Sequence, residues 1–341
     1  MIRKLIALVL VASGLWFGYW YVASTAKQEA ISAWLQARKA DGWKVAYDNF
    51  RVVGFPNRID SKFKNLDLRD PVSGVEWQAP DFQILTVSYR PNHVIVIWPD
   101  GQTVTLPDQK VAVNSTKLVA SVAFVPDTKL ALARSEFVTD NMTLQSDQGW
   151  QASLGHLGFF TRQHKGIDFA HDVVFDAKAL VLPAKMQAAL DPGGRLPKKI
   201  DRLYLDTMLS FDAPWDRLAV ERGRPQLTRI TVNKLKSDWG DLGVEGNGVL
   251  DVAANGRISG ALDLQLHNWQ ALVDMFVASG TIDGNTAELV KGGLGLLAGS
   301  GGTDAEGNAK ALEVTLRLEG GRMFLGPIPL GRAPHLYGRT G

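Results

Sequence analysis

Residues 5–24 form an unbroken run of 20 positions without a charged side chain, directly behind Arg3 and Lys4. At about 1.5 Å of rise per residue, a helix of this length spans roughly 30 Å, the thickness of the hydrocarbon core of a bilayer. Aromatic residues crowd its distal end, where a membrane helix meets the lipid–water boundary. These residues are Trp16, Phe17, Tyr19, Trp20 and Tyr21. The pattern predicts a transmembrane anchor over 5–24.

A cleavable signal peptide is the alternative interpretation, because the small residues Ser24, Thr25 and Ala26 resemble a cleavage site. The apolar segment of a signal peptide usually has about 7 to 15 residues, fewer than are found here, which favours an uncleaved anchor. Positive charge favours the cytoplasmic side of a membrane. We therefore expect a cytoplasmic tip at residues 1–4, a single span in the inner membrane and a main domain in the periplasm.

A second helical pattern follows at residues 26–40, and Gly42 ends it, since glycine is favoured just past a helix end. One face of this segment carries side chains at the i, i+3, i+4, i+7 spacing of a helix, namely Ile31, Trp34, Leu35 and Arg38. The stripe predicts a connector helix that packs on its own domain. Lying in the outer headgroup layer of the membrane is the alternative.

From residue 43 onward the hydrophobic period changes to two, the spacing of a strand with one apolar face. The clearest alternations lie at 261–266 and 312–319. Asn255-Gly256 predicts a hairpin with a type I′ turn between strands 244–252 and 258–266. Many strands with short connections predict a mainly β fold, built on a large antiparallel sheet that is open or curled, rather than a parallel α/β fold.

Helical patterns interrupt the sheet near residues 268–298. The segment 269–278 has apolar residues on one side, and a second helix is predicted at 283–298 with Asp283 as its N-cap. The run 326–331 contains two prolines, which lack an N–H to donate, so we expect it at a sheet edge. Residues 43–341 are thus predicted to form a β domain with a helical insertion at 268–298.

Composition excludes several chemistries. None of the 341 residues is cysteine, so a disulfide, a thiolate nucleophile and a Cys-ligated metal are excluded. Lys and Arg total 37 against 35 Asp and Glu, without a long basic block, so nucleic acid is not an expected partner. If the His/Asp cluster at 164–172 were a strand, His164 and Asp168 would share one face, too few ligands for a metal. We predict no catalytic residue, no cofactor and no metal site.

Several short motifs resemble a bacterial family of anchored envelope proteins known as domain of unknown function 2125. They are Gly42-Trp43-Lys44-Val45, Val53-Gly54-Phe55-Pro56-Asn57-Arg58, Asn65-Leu66-Asp67-Leu68, Trp77-Gln78-Ala79-Pro80 and Tyr89-Arg90-Pro91-Asn92-His93. The family has no assigned chemistry. The resemblance therefore implies a place in the cell envelope and no active site.

More loosely, the C-terminal part is similar to AsmA-like proteins. The residues that carry this similarity are Gly246-Asn247-Gly248, Gly256, Gly260-Ala261-Leu262, Asn268-Trp269 and the run 324–331. The similarity implies a curved β-sheet with an apolar inner face and a link to lipid handling in the envelope.

In an open sheet with one apolar face, that face must be buried by other parts of the chain or must bind a ligand. Acyl chains suit an uncovered face, because burying each CH₂ contributes about 0.8 kcal/mol. The candidate lipid-facing residues are Leu262, Leu264, Leu266, Leu312, Val314, Leu316 and Leu318. In a closed sheet they would be core residues only.

Three functions stay open at this point. The first is a non-enzymatic, inner-membrane-anchored envelope protein whose β body binds lipid, such as phospholipid, or a lipid-bearing partner through the apolar face. The second is an anchored scaffold that binds another envelope protein by a sheet edge. The third is an envelope hydrolase without a recognisable motif.

Overall fold

A long helix precedes a large β-sheet in this chain. The structure, a computed structural model, describes residues 2–219, 223–278, 280, 282–299 and 311–336. In these residues, 18 strands belong to one antiparallel sheet, accompanied by four helices. The mainly β, antiparallel class predicted from the alternation is confirmed.

Backbone contacts group the chain into two compact units. Unit 1 comprises Met1–Pro126 and Ser135–Trp150, and unit 2 comprises Asp127–Arg134 and Gln151–Gly341. Unit 1 contains helix α1 (Ile2–Ala40) and the first group of strands. These strands are β1 (Lys44–Ala46), β2 (Asn49–Val53), β3 (Asp60–Arg69), β4 (Glu76–Thr86), β5 (His93–Ile97), β6 (Gln102–Thr105), β7 (Lys110–Asn114), β8 (Lys117–Phe124) and most of β9 (Leu132–Ser146).

Helix α1 is one continuous helix of 39 residues. The prediction of an anchor and a separate connector helix is wrong in this respect. The segment that joins them, residues 24–27, contains neither proline nor glycine, so nothing in it breaks the backbone hydrogen-bond ladder. The apolar run and the connector stripe therefore lie on one continuous helix.

The C-terminal half of α1 packs on the sheet of unit 1. Leu35 is 4% exposed and lies in a buried cluster with Val45, Phe63 and Leu66. Lys27 Nζ donates hydrogen bonds to the carbonyl oxygen of Ile59 at 2.6 Å and to Thr86 Oγ1 at 3.0 Å. Burial lowers the pKa of Lys27 to about 8, against the attraction of Asp60, which raises it. The connector stripe thus packs on its own domain, the first of the two alternatives.

Docking continues along α1 into the apolar run. Three aromatic side chains of the helix donate hydrogen bonds to backbone carbonyls at the end of the sheet where β2 turns into β3. Trp16 Nε1 donates to Pro56 at 3.0 Å, Tyr19 Oη to Ser88 at 2.8 Å, and Trp20 Nε1 to Arg58 at 2.6 Å. The side chains of residues 2–15 are all exposed. Only this N-terminal part of α1 lies beyond the contacts that the helix makes with the strands and turns of unit 1.

Unit 2 is a meander in which each strand from β10 to β18 pairs with the next. Its strands are β10 (Gln151–Gln163), β11 (Ala170–Val181), β12 (Lys199–Phe211), β13 (Leu227–Trp239), β14 (Leu242–Val252), β15 (Ile258–His267), β16 (Leu312–Glu319), β17 (Arg322–Leu325) and β18 (Ile328–Arg332). Its helices are α2 (Ala184–Leu190), α3 (Trp269–Ala278) and α4 (Gly284–Gly299). The short α2 was not predicted, whereas α3 and α4 were.

Two local predictions in unit 2 can be compared with the backbone. Strands β14 and β15 form the predicted hairpin, but only Gly256 has a positive φ, 77°, whereas a type I′ turn needs two such residues. The loop is longer than two residues because Ala253 N–H already donates to Arg257 at 2.9 Å. The predicted turn type is therefore wrong. The proline-containing run 326–331 forms the end of the meander at β18, as expected.

Candidate functional site: an apolar cavity in unit 2

The seven predicted lipid-facing residues lie on one face of strands β15 and β16. The register pairs Leu262 with Leu316, Leu264 with Val314, and Leu266 with Leu312. The odd-numbered residues between them lie on the other face, and five of these are exposed, namely Asp263, Gln265, Glu313, Thr315 and Arg317. The period of two therefore separates an apolar face from a polar one, as predicted.

Helices α3 and α4 cover one end of this apolar face. Val290 is 1% exposed and Leu294 is fully buried, in a cluster that contains Leu266, Leu312 and Val314. The N-terminus of α4 is fixed as predicted, since Asp283 Oδ1 accepts a hydrogen bond from Thr286 N–H at 2.8 Å. At the other end, Leu318 is buried in a separate small cluster with Ile258 and Ala333.

A cavity of about 480 Å³ lies on the apolar face between these two clusters. Four of the predicted residues line it, namely Leu262, Leu264, Leu266 and Leu316. The remaining lining residues, which the sequence reasoning missed, are Leu235, Val244, Leu272, Phe276, Ile282, Met323, Leu325, Leu330, Arg332 and Pro334. Small-molecule sites have volumes of roughly 300–1,000 Å³, so the cavity is large enough to hold a ligand.

The predicted residues thus divide into two groups. Leu312, Val314 and Leu318 are buried under other side chains. Leu262, Leu264 and Leu316 are only half-buried and border the cavity, while Leu266 contributes to both the cavity and the helical cover. The first group consists of core residues. The second group leaves apolar surface that no side chain of the described residues fills.

Two glycines on strand β14 let that strand lie close against the leucines of β15. Gly246 and Gly248 lie opposite Leu264 and Leu262 in the register. A Cβ atom at Gly246 would come within 2.6 Å of Leu264 Cδ2, and one at Gly248 within 2.2 Å of the Ala261 carbonyl oxygen. Any larger residue would therefore force the hairpin apart. Both glycines belong to the segment that carries the AsmA-like resemblance, a signal that pointed to this region.

Arg332 supplies the only charge among the residues that line the cavity. It is exposed on strand β18, close in the chain to the exposed Pro334. Among the described residues, no ion pair involves its guanidinium.

The opposite, polar face of the same strands has a wider concavity of about 720 Å³. Two of its acidic side chains, Glu245 and Asp263, have partners within the protein. Lys236 Nζ lies 2.8 Å from Glu245 Oε1, and Thr315 Oγ1 donates to Asp263 Oδ1 at 2.8 Å. The hydrogen bond from Lys236 lowers the pKa of Glu245, although burial opposes this shift. A carboxylate held in its ionised form at neutral pH is poorly suited to act as a general acid.

Residues 164–169 of the His/Asp cluster lie in the connection between β10 and β11, and residues 170–172 begin β11, so His164 and Asp168 are not on a common strand. His164 Nδ1 lies 2.7 Å from Asp172 Oδ1, and Arg162 contacts the other oxygen at 3.0 Å. Burial would raise the pKa of Asp172, but the hydrogen bonds from His164 and Arg162 lower it. Burial lowers the pKa of His171, while the charge of Asp172 raises it. No group of three or more potential metal ligands occurs among the described residues.

Comparison with known proteins gives one match. The model of a family described as "uncharacterized protein conserved in bacteria" (domain of unknown function 2125, DUF2125) matches residues 20–334. No curated protein and no solved structure matches the chain. The similarity to AsmA-like proteins has no counterpart among these comparisons and stays a prediction.

Replacing Leu294 by alanine tests whether α4 covers the apolar face. Because Leu294 is fully buried, Leu294→Ala should lower the free energy of unfolding by about 2–5 kcal/mol. Leu296 lies on the same helix and is 83% exposed, so Leu296→Ala should change it by less than about 0.5 kcal/mol. Denaturant unfolding of the two variants in mild detergent measures the difference. Equal, small effects would show that α4 does not pack on the sheet.

Proposed function

The chain belongs to the family of domain of unknown function 2125, and we propose that it is a membrane-anchored envelope protein that binds lipid. In this proposal the apolar cavity of unit 2 holds part of an acyl chain and Arg332 contacts an anionic headgroup. The protein acts by binding and not by catalysis. Phospholipid of the inner membrane is the proposed ligand.

The cavity is the observation that supports the proposal. Thirteen of its fourteen lining residues are apolar, and most of the leucines in it are half-buried rather than buried. Each buried CH₂ contributes about 0.8 kcal/mol, so ten methylenes would gain roughly 8 kcal/mol before the cost of association. A straight hydrocarbon chain needs no hydrogen-bond partner. It therefore suits a site that offers none except at its rim.

Helix α1 supports the membrane location. Among the described residues it alone is long and apolar enough to cross a bilayer. We propose that it crosses the inner membrane once, with Arg3 and Lys4 in the cytoplasm and the β-sheet in the periplasm. The cavity would then belong to a protein that is anchored in the same membrane that supplies the lipid.

The scaffold alternative, in which a sheet edge recruits another envelope protein, has less support. Strand β18, the last of the meander, has five residues, and one of them is Pro329, which has no N–H to pair with an added strand. Short strands that contain proline resist pairing with another chain. A filled interior, which a scaffold would favour, also differs from the observed cavity.

A carboxylate placed in the cavity should abolish lipid binding. Leu262→Glu points a charge at the acyl site, and burying it there costs several kcal/mol, so lipid occupancy should fall more than about tenfold. The full chain is purified in mild detergent, and extracted lipids are counted per chain by mass spectrometry. We expect about one phospholipid per wild-type chain.

The matched control is Ala261→Glu, one residue earlier on the same strand. Ala261 pairs with Arg317 on the polar face, so the new carboxylate meets an opposite charge there. This variant should keep its lipid. Wild-type protein that is stable and free of lipid, or equal loss from both variants, would contradict the proposed function.

An uncleaved anchor is a second expectation. Cleavage near residues 24–26 would remove the side chains of Trp16, Tyr19 and Trp20 together with their hydrogen bonds to unit 1. Intact-mass measurement of the protein extracted from membranes should therefore give a species that retains residues 16–27. A mature protein that begins after Ser24 would show that the helix is a signal peptide.

A further inference from the structure

The end of the unit 1 sheet beside α1 carries exposed aromatic and basic side chains. Phe55 is 50% exposed and Tyr89 is 63% exposed, and both lie in turns, one between β2 and β3 and the other between β4 and β5. Arg58 and Arg90 are exposed in the same two turns. The turns contact each other, since Ser88 N–H donates to the Asn57 carbonyl at 2.9 Å. We call these five residues, Phe55, Pro56, Arg58, Tyr89 and Arg90, the tip.

The position of the apolar run 5–24 along α1 determines how deep the tip lies in a bilayer. If residues 5–24 fill a hydrocarbon core about 30 Å thick, Trp20 lies about 6 Å and Trp16 about 12 Å inside its outer boundary. The Phe55 ring packs edge-on against Phe17 and Trp20, with centroids 5.5 and 5.4 Å apart. Phe55 must then lie at the same depth as its partners.

Several polar groups of the two turns have hydrogen-bond partners within the protein. Irregular backbone is not tolerated at membrane depth unless its carbonyls and amides have partners within the protein. The carbonyls of Pro56, Arg58 and Ser88 accept hydrogen bonds from Trp16, Trp20 and Tyr19. The Arg58 N–H donates to Gly54 at 2.8 Å, and the Arg58 guanidinium lies 2.8 Å from Asp60.

From these observations we propose that the tip inserts into the outer leaflet of the membrane that α1 spans. Phe55 lies among acyl chains, Tyr89 at the headgroup boundary, and Arg90 reaches lipid phosphate, as aromatic and long basic residues do at interfaces. The sheet of unit 1 is then seated on the bilayer and is not held above it on a stalk. This inference rests on the proposed anchor.

Because the chain has no cysteine, single spin labels can report the depth of chosen residues. The full chain carries one label, introduced by Leu10→Cys, Phe55→Cys, Tyr89→Cys or Val72→Cys, in vesicles of phosphatidylethanolamine and phosphatidylglycerol. Val72 is 94% exposed and lies past the other end of β3, whose ten residues cover about 33 Å. Tyr89 gives a reading that does not disturb the contacts of Phe55 with α1.

Accessibility to oxygen, which concentrates in lipid, is compared with accessibility to a water-soluble nickel chelate. We expect labels at 10, 55 and 89 to favour oxygen and the label at 72 to favour nickel. If 10 favours oxygen while 55 and 89 behave like 72, the tip is in water and this inference is wrong, but the anchor stands. If 10 favours nickel, the proposed anchor fails and the inference fails with it.

Discussion

A β-sheet with one apolar face has to bury that face against something, and this constraint governs both units of the chain. In unit 1 the apolar face is covered by α1, the helix that also contains the proposed membrane anchor. The C-terminal half of α1 places Leu35 against Phe63 and Leu66, while aromatic rings continue across the sheet from Phe63 to Phe82 at 6.2 Å. The proposed anchor and the core of unit 1 are therefore parts of the same element.

Unit 2 meets the same constraint less completely. Helices α3 and α4 cover Leu266, Leu312 and Val314, whereas Leu262 and Leu316 stay half-buried beside the cavity. On β14, Gly246 and Gly248 allow a close approach to Leu264 and Leu262 of β15. An apolar surface left uncovered in water is unfavourable, so this half-buried part of the face is where we propose that a ligand binds.

Much of this fold could be predicted from the local pattern of apolar and polar residues in the sequence. The period of two placed all seven candidate residues on one face, and Asp283 marked the start of α4. The pattern could not separate Leu312, which is buried, from Leu316, which borders a cavity, because that difference depends on where distant helices lie. The hydrogen bonds from Trp16 and Trp20 to unit 1 could not be predicted either. Aromatic residues at the end of an apolar run look the same in the sequence whether they face lipid or pack on the protein.

The central claim is that the cavity on β15 and β16 holds an acyl chain in the membrane-bound protein. Cross-linking tests it most directly, with the full chain in vesicles that contain a phospholipid carrying a photoactivatable group near the end of one acyl chain. The account predicts cross-linked peptides from 258–276 and 312–332, in addition to those from α1. Cross-links confined to α1 and the tip would show that lipid surrounds the anchor but does not enter the cavity, and would contradict the account.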